Sequence, residues 1–251
     1  MKIYTYYEDV GFKKQLELIE VWQESWRKQG FDPIVLNRED AKKSPLYQKY
    51  YDFVQRVHEK ISGKTLPENN YCLAAQLEIV AFTNIDKGEV SYISDYDVIN
   101  KNFTHKTETG KLHWRDSCCS CFASSNRWGW KKYIKFLFEE EKTIIDWCLQ
   151  EKEKTQRTNY HDQDFLIAVE KIGLEKDIYE MSRSPNLCKM YFPTTKAKDI
   201  KLYHLSHSNI GQVIERYKKY NKIFNTEDSL IDYSSLEEIR LNIAKQILND
   251  N

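Results

Sequence analysis

Three β-forming runs separated by helical segments within the first 94 residues constrain the fold of this chain more than any other feature. The first, Lys2 to Tyr6 (KIYTY), leads into GFKKQLELIEVWQESWRKQG, where Phe12, Leu16, Ile19, Trp22 and Trp26 recur at helical spacing. Gly30 stops that helix, and FDPIVLN supplies the second run. Strand, helix, strand within 37 residues predicts a βαβ unit with two parallel strands, because the helix carries the chain back across the sheet. In a parallel sheet of this kind the ligand edge lies at the carboxyl ends of the strands.

The remaining segments extend the same alternation. EDAKKSPLYQKYYDFVQRVHEK reads as helical beyond Pro45, ISGKTLPENN as a loop, and Tyr71 to about Asn84 as a helix carrying the apolar run LAAQLEIVAF. GEVSYIS is the third strand, and its end delivers Asp95-Tyr96-Asp97. NKNFTHKTETGK is a polar connection, LHWRDSCCSCFASS a strand or strand pair, and NRWGWKKYIKFLFEEEKTIIDWCLQEKEK is helical. After the polar break TQRTN come the helix YHDQDFLIAVEKI, the late strand KLYHLSHSN, and helical segments around Ile210 to Tyr220 and Ser234 to Asn249. No internal repeat and no linker rich in Gly, Ser or Pro interrupts the pattern. The expectation is a single Rossmann-like α/β domain over residues 1–251, with a mixed, mainly parallel sheet flanked by helices.

Charge and composition exclude several function classes. The 38 basic and 38 acidic side chains cancel, and no concentrated basic stripe is present, so a nucleic-acid-binding role is not expected. Any anionic ligand must be held locally. The opening MKIYTYYED lacks the apolar core of a secretory signal, and no stretch approaches the roughly 20 apolar residues of a membrane span. The expectation is therefore a cytoplasmic protein with its six cysteines reduced. Cys118, Cys119 and Cys121 lack a second Cys/His pair at metal-finger spacing and read as small residues packing a buried strand.

Asp95 and Asp97 are the chemically pointed feature. Two carboxylates one residue apart at a strand end face one site where the chain turns, and in extended geometry i and i+2 also share a face. Such oxygen ligands suit Mg²⁺ or Mn²⁺, which bridge phosphate oxygens. The pair follows a buried strand and is followed by Val98 and Ile99 rather than by turn residues. A solvated turn seldom has apolar residues on both sides.

A βαβ half followed by a strand ending in D-x-D resembles the GT-A class of nucleotide-sugar glycosyltransferases. HDQDF, His161 to Phe165, is similar to the D-Q element at a helix start in the glycogenin and galactosyltransferase-like group. YHLSHS, Tyr203 to Ser208, is similar to the C-terminal histidine segment that supplies a third protein ligand to the metal. The glycine and Lys-Pro-Trp that follow that histidine in the glycogenin-like group are not found here.

The resemblance implies a nucleotide-binding half over 1–100 and an acceptor-binding half with a helical C-terminus over 101–251. It makes Asp95, Asp97 and either His204 or His207 the metal ligands, with His204 preferred and Asp95 shared with the ribose. Tyr4, Thr5 and Tyr6 would lie near the base, uracil or guanine, of a UDP- or GDP-linked sugar donor. Asp162, Gln163 and Asp164 would serve the chemistry: Asp162 first and Asp164 second as the base of an inverting reaction, or Gln163 or Asp162 behind the sugar in a retaining one. Arg115 and Arg127 are candidate phosphate contacts, and Trp128 and Trp130 candidate acceptor platforms. The implied activity is metal-dependent transfer of a sugar from a nucleotide sugar to a hydroxyl of a glycan or glycoprotein. The alternatives are a non-catalytic nucleotide-sugar-binding relative and a D-x-D phosphotransferase. In the latter the motif usually lies on the first strand and is followed by a Thr where Ile99 stands.

Overall fold

The computed structural model describes residues 1–85, 88–104, 110–114, 121–155, 160, 162–172, 179–181, 188–190, 200–206 and 236–249. The strands are β1 (Lys2–Tyr6), β2 (Asp32–Leu36), β3 (Ser91–Ser94), β4 (Val98–Asn100), β5 (Leu112–Trp114), β6 (Phe122–Ser125), β7 (Tyr179–Met181), β8 (Cys188–Met190) and β9 (Leu202–His204). The helices are α1 (Gln15–Lys28), α2 (Arg38–Lys42), α3 (Tyr47–Ser62), α4 (Tyr71–Ala81), α5 (Arg127–Glu139), α6 (Glu141–Thr155), α7 (Asp162–Ile172) and α8 (Leu236–Asn249). The segments around Ile210 to Tyr220, together with Arg115, Cys118, Cys119, His161 and His207, lie outside the described residues.

The expected βαβ unit is present. β1 pairs in parallel with β2 from Lys2 against Asp32 to Tyr6 against Leu36, and on its other side in parallel with β3. The sheet continues through β6, antiparallel to β3, then β5, antiparallel to β6, and ends on β7, parallel to β5. This is a mixed sheet, mainly parallel and flanked by helices, as the alternation of segments predicts. LHWRDSCCSCFASS supplies two strands of it, β5 and β6. A second, three-stranded sheet joins β4 to β9 in antiparallel and β9 to β8 in parallel. The apolar Val98 and Ile99 after the D-x-D pair open this second sheet, which is why they are not turn residues.

Side-chain alternation divides the core into two layers. Ile3, Tyr92 and Phe122 face the α1 and α8 side, while Tyr4, Tyr6, Ile93 and Ala123 face α3 to α7. Local capping sets the helix starts: the Asn37, Asn70 and Asn126 side chains accept backbone N–H groups at the first turns of α2, α4 and α5. The helical stretch after Asn126 is two helices rather than one, broken at Glu140. Both halves then reach the same core through Tyr133, Leu137, Ile144 and Cys148.

α1 departs from the apolar stripe read from the sequence. Phe12 precedes the helix, and it and Leu16 are exposed; the buried face is Gln15, Leu18, Ile19, Val21, Trp22, Ser25 and Trp26. Counting from Gln15, these positions fall at i+3, i+4, i+6, i+7, i+10 and i+11, a continuous stripe that Phe12 and Leu16 do not join. Trp22 and Trp26 do more than fill volume. Trp22 Nε1 donates to Ser94 Oγ at 2.9 Å and Trp26 Nε1 to the Val98 carbonyl at 3.2 Å, so one helix holds the last residue of β3 and the first of β4. Ser25 Oγ adds a bond from the Asn100 N–H at 3.1 Å.

Trp26 packs on Phe31, Phe103 and Phe122 and is fully buried. Trp26→Ala is expected to cost about 3–5 kcal/mol in urea unfolding. Trp26→Phe, which keeps most of the packing and removes the bond to Val98, should cost about 1–2 kcal/mol.

Candidate metal centre

The chain turns between the two sheets at the paired aspartates. The Asp95 N–H donates to the Cys121 carbonyl at 3.0 Å, and the Val98 N–H donates back to the Asp95 carbonyl at 3.0 Å, closing a four-residue turn over Asp95–Val98. The turn breaks the strand alternation and gathers both carboxylates on one side. Across the second sheet His204 lies in register with Val98, and the Leu205 N–H donates to the Asp97 carbonyl at 2.9 Å. His204 Nε2 thereby stands 3.4 Å from Asp97 Oδ1 and 4.0 Å from Asp95 Oδ2. One ligand atom from each of Asp95, Asp97 and His204 falls within 4.8 Å of the others.

A fourth residue holds this set, and the sequence reading missed it. Arg240 is buried on α8; its guanidinium donates from one terminal nitrogen to Asp97 Oδ2 at 2.6 Å and from Nε to the Leu205 carbonyl at 2.7 Å. One side chain therefore clamps both the D-x-D turn and the strand that delivers His204. A signal for it existed: Arg240, Ala244, Ile247 and Leu248 occupy i, i+4, i+7 and i+8, which places a charge on an apolar helix stripe.

The clamp leaves Asp97 in a particular state. Its residue is 8 % exposed, and burial alone would raise its pKa. The charge of His204, and then the charge and hydrogen bond of Arg240, outweigh burial and hold the carboxyl well below the usual carboxylate range. Oδ2 is taken by Arg240, whereas the buried Oδ1 accepts no hydrogen bond among the described residues. At 3.4 Å the His204 ring nitrogen is at ion-pair distance from that oxygen without hydrogen-bond alignment.

The two aspartates also act electrostatically on groups of α4. Asp162, buried in the first turn of α7, and Asp95 both act on Glu78 of α4; burial first, then these two charges, push the Glu78 carboxyl well above its ordinary range. The Tyr71 hydroxyl is likewise pushed up by the enclosure of its hydroxyl end and then by the charges of Asp95, Asp162, Asp97 and Glu78. Gln163 is partly buried beside Asp162, and Asp164 is buried two positions on, about 200° round the helix from Asp162. Tyr4 and Tyr6 lie in the helix-side core, Thr5 is buried on the alternate face, and Tyr6 Oη donates to Glu8 at 2.9 Å. Trp130 is a core residue against Trp114 and Phe82, which removes it as an acceptor platform, whereas Trp128 is 60 % exposed beneath Arg127 and Lys131.

Comparison with known proteins adds three findings. A family described as a domain of unknown function, DUF8765, matches residues 1–63. No curated protein sequence matches the chain. Among solved structures, the galactosyltransferase LgtC in complex with donor and acceptor sugar analogs is similar over 81 % of this chain and 86 % of its own, at 13 % identity and a TM-score of 0.47. The glycosyltransferase GlyE of Streptococcus pneumoniae TIGR4 is similar over 98 % of this chain and 64 % of its own, at 13 % identity and a TM-score of 0.44. Both are glycosyltransferases by name. No helix among the described residues is long and apolar enough to cross a membrane.

Replacing Arg240 by Met keeps most of the packing but strands the buried Asp97 charge. Arg240→Met is expected to lower stability by about 3–5 kcal/mol in urea unfolding. Substituting the exposed Lys245 on the same helix should change it by less than about 0.5 kcal/mol.

Proposed function

We propose that the chain is a metal-dependent glycosyltransferase that moves a sugar from a nucleoside-diphosphate sugar to a hydroxyl of a glycan or glycoprotein. The observation that carries this reading is the convergence of Asp95, Asp97 and His204 around a buried carboxylate oxygen whose partner oxygen is already held by Arg240. The donor set fits a hard divalent cation: two carboxylate oxygens with one imidazole suit Mn²⁺, and Mg²⁺ next. When bound, such a cation supplies electrostatic stabilisation for the charge that builds on a leaving nucleoside diphosphate. A chain of zero net charge needs such a local device to hold a diphosphate.

In this reading the chain's own residues have distinct tasks. Asp95, Asp97 and His204 hold the cation, and Arg240 keeps Asp97 ionised and aimed. Asp162 takes the acceptor proton in an inverting reaction, a role supported by its reach onto Glu78 and Tyr71. In a retaining reaction Asp162 or Gln163 lies behind the sugar instead. Helical geometry favours Asp162 over Asp164. Tyr6, at the carboxyl end of β1, is the base-side candidate with Thr5, and residues 1–100 form the nucleotide half.

Calorimetry with UDP and GDP, with and without Mn²⁺, tests the reading. Mn²⁺ is expected to strengthen binding of one of the two by at least about ten-fold. Asp95→Asn should remove most of that gain while leaving the urea midpoint unchanged, since Asp95 is the more exposed carboxylate and Arg240 pairs with Asp97. If neither nucleotide binds in Mn²⁺, the transferase reading is wrong. Binding without hydrolysis or transfer of any nucleotide sugar would instead identify the non-catalytic relative.

A further inference from the structure

The Asp95–Val98 turn has two central residues, Tyr96 and Asp97, and the backbone angles at these two positions decide where the Asp95 and Asp97 side chains point. Asp97 is held twice, by Arg240 on its carboxylate and by the Leu205 N–H on its carbonyl. Tyr96 is held from the other direction. Its ring packs on the core layer between the sheet and helices α1 and α8, beside Leu18, Trp22 and Leu205. Its hydroxyl accepts a hydrogen bond from Gln15 Nε2 at 2.6 Å. Burial first, and then the charge of Asp97, push this phenol up to about 12, so at neutral pH it stays an uncharged hydroxyl.

Packing alone does not ask for an amide at this place. Gln15 is the first residue of α1 and is 5 % exposed, and its buried Oε1 accepts no hydrogen bond among the described residues. A methionine would fill the same space without enclosing an unbonded polar atom. The backbone that delivers Gln15 is also constrained. Lys14, immediately before it, has φ 61° and ψ 13°, and among the described residues it is the non-glycine position with positive φ. Lys14 Nζ lies 3.1 Å from Glu17 and 3.6 Å from Glu238 of α8, two residues before Arg240. The starts of α1 and α8 are thus joined to each other, and each reaches one central residue of the turn: Gln15 reaches Tyr96 and Arg240 reaches Asp97.

We propose that Gln15 and Tyr96 act as a pair of positioning residues for the cation, the amide fixing the Tyr96 ring and through it the half of the turn that presents Asp95. This rests on the metal-binding part of the reading above. Asp97 and His204 are placed by the Arg240 clamp, whereas Asp95 is the more exposed carboxylate and stands farther from His204, at 4.0 Å against 3.4 Å. Its place depends on the rotation of the peptide units that flank Tyr96. A ring anchored at both its apolar body and its hydroxyl cannot swing, so those units keep one orientation and a cation finds both carboxylates already gathered. The cost of burying an incompletely bonded amide is then offset by affinity at the site rather than by stability of the fold.

The test is titration of the full chain with Mn²⁺ alone, without nucleotide, by calorimetry, with the urea midpoint measured on the same samples. Tyr96→Phe keeps the ring and removes the hydroxyl, and Gln15→Met keeps the volume and removes the amide. Each should weaken Mn²⁺ binding by about ten-fold, and the double variant should also lose about ten-fold rather than a hundred-fold, because both changes remove the same bond. The urea midpoint of Gln15→Met should hold or rise, since an unbonded buried oxygen goes with the amide. A bond with a merely structural role would lower the midpoint and leave the Mn²⁺ affinity intact, and that result overturns the proposal. So do Mn²⁺ affinities within about two-fold of wild type in both single variants, or losses that add in the double variant. If Gln15→Met does not fold, Tyr96→Phe decides the matter by itself. A wild-type chain that binds no Mn²⁺ overturns the metal reading and this inference with it, whereas one that binds Mn²⁺ but neither UDP nor GDP overturns the transferase reading and leaves the pair in place.

Discussion

The ion pair between Arg240 and Asp97 is the interaction on which the arrangement depends. It joins residues 143 positions apart in the chain and is buried on both sides. A buried pair of this kind is costly to desolvate and is stable only with its remaining bonds in place. Here the Leu205 carbonyl takes the Arg240 Nε, and the Asp97 backbone carbonyl takes the Leu205 N–H. The result is a closed loop of interactions between the D-x-D turn, the end of β9 and helix α8. His204 is the residue immediately before Leu205, so the clamp that holds Asp97 also sets where the imidazole stands.

The opposite side of the turn is held by different physics. Trp22 and Trp26 fill the core under β3 and β4, and their indole N–H groups bond to Ser94, just before the Asp95–Val98 turn, and to Val98, its last residue. Packing and hydrogen bonding act together at Ser94 and at Val98, the last residue of the turn, so the turn is gripped by α1 from within the core and by α8 through charge. Rigid support on two sides is what a preorganised cation site requires. It also explains why two carboxylates end a buried strand: one is neutralised by Arg240, and the other is partly exposed at the edge of the site.

The distribution of charge carries the functional logic. A net charge of zero conceals a local concentration of carboxyl groups, with Asp95, Asp97, Asp162 and Glu78 acting on one another or on Tyr71. Arg240 offsets one of these charges and His204 bears on the pair of aspartates. The remaining negative potential of the aspartates is of the sign that a cation needs.

The sequence by itself determined the elements whose signals are local. Alternation in KIYTY and FDPIVLN, the helical spacing of Trp22 and Trp26, and the sequence SYISDYD between apolar flanks were enough to locate the βαβ unit and the strand that ends in Asp95 and Asp97. His204 was legible because it follows a short β-forming run. Phe12 and Leu16 were misread, because apolar residues at helical spacing do not reveal where a helix starts or which of two neighbouring stripes faces the core. What the tertiary structure alone decided is which distant groups meet. Arg240 reads locally as one more charge on a helix, and Glu78 and Tyr71 as the polar edge of an apolar one. Only the pairing of β4 with β9, the seating of α8 beneath it and the enclosure of α4 bring those side chains to the aspartates, because ion pairing and burial depend on distance in space and not along the chain.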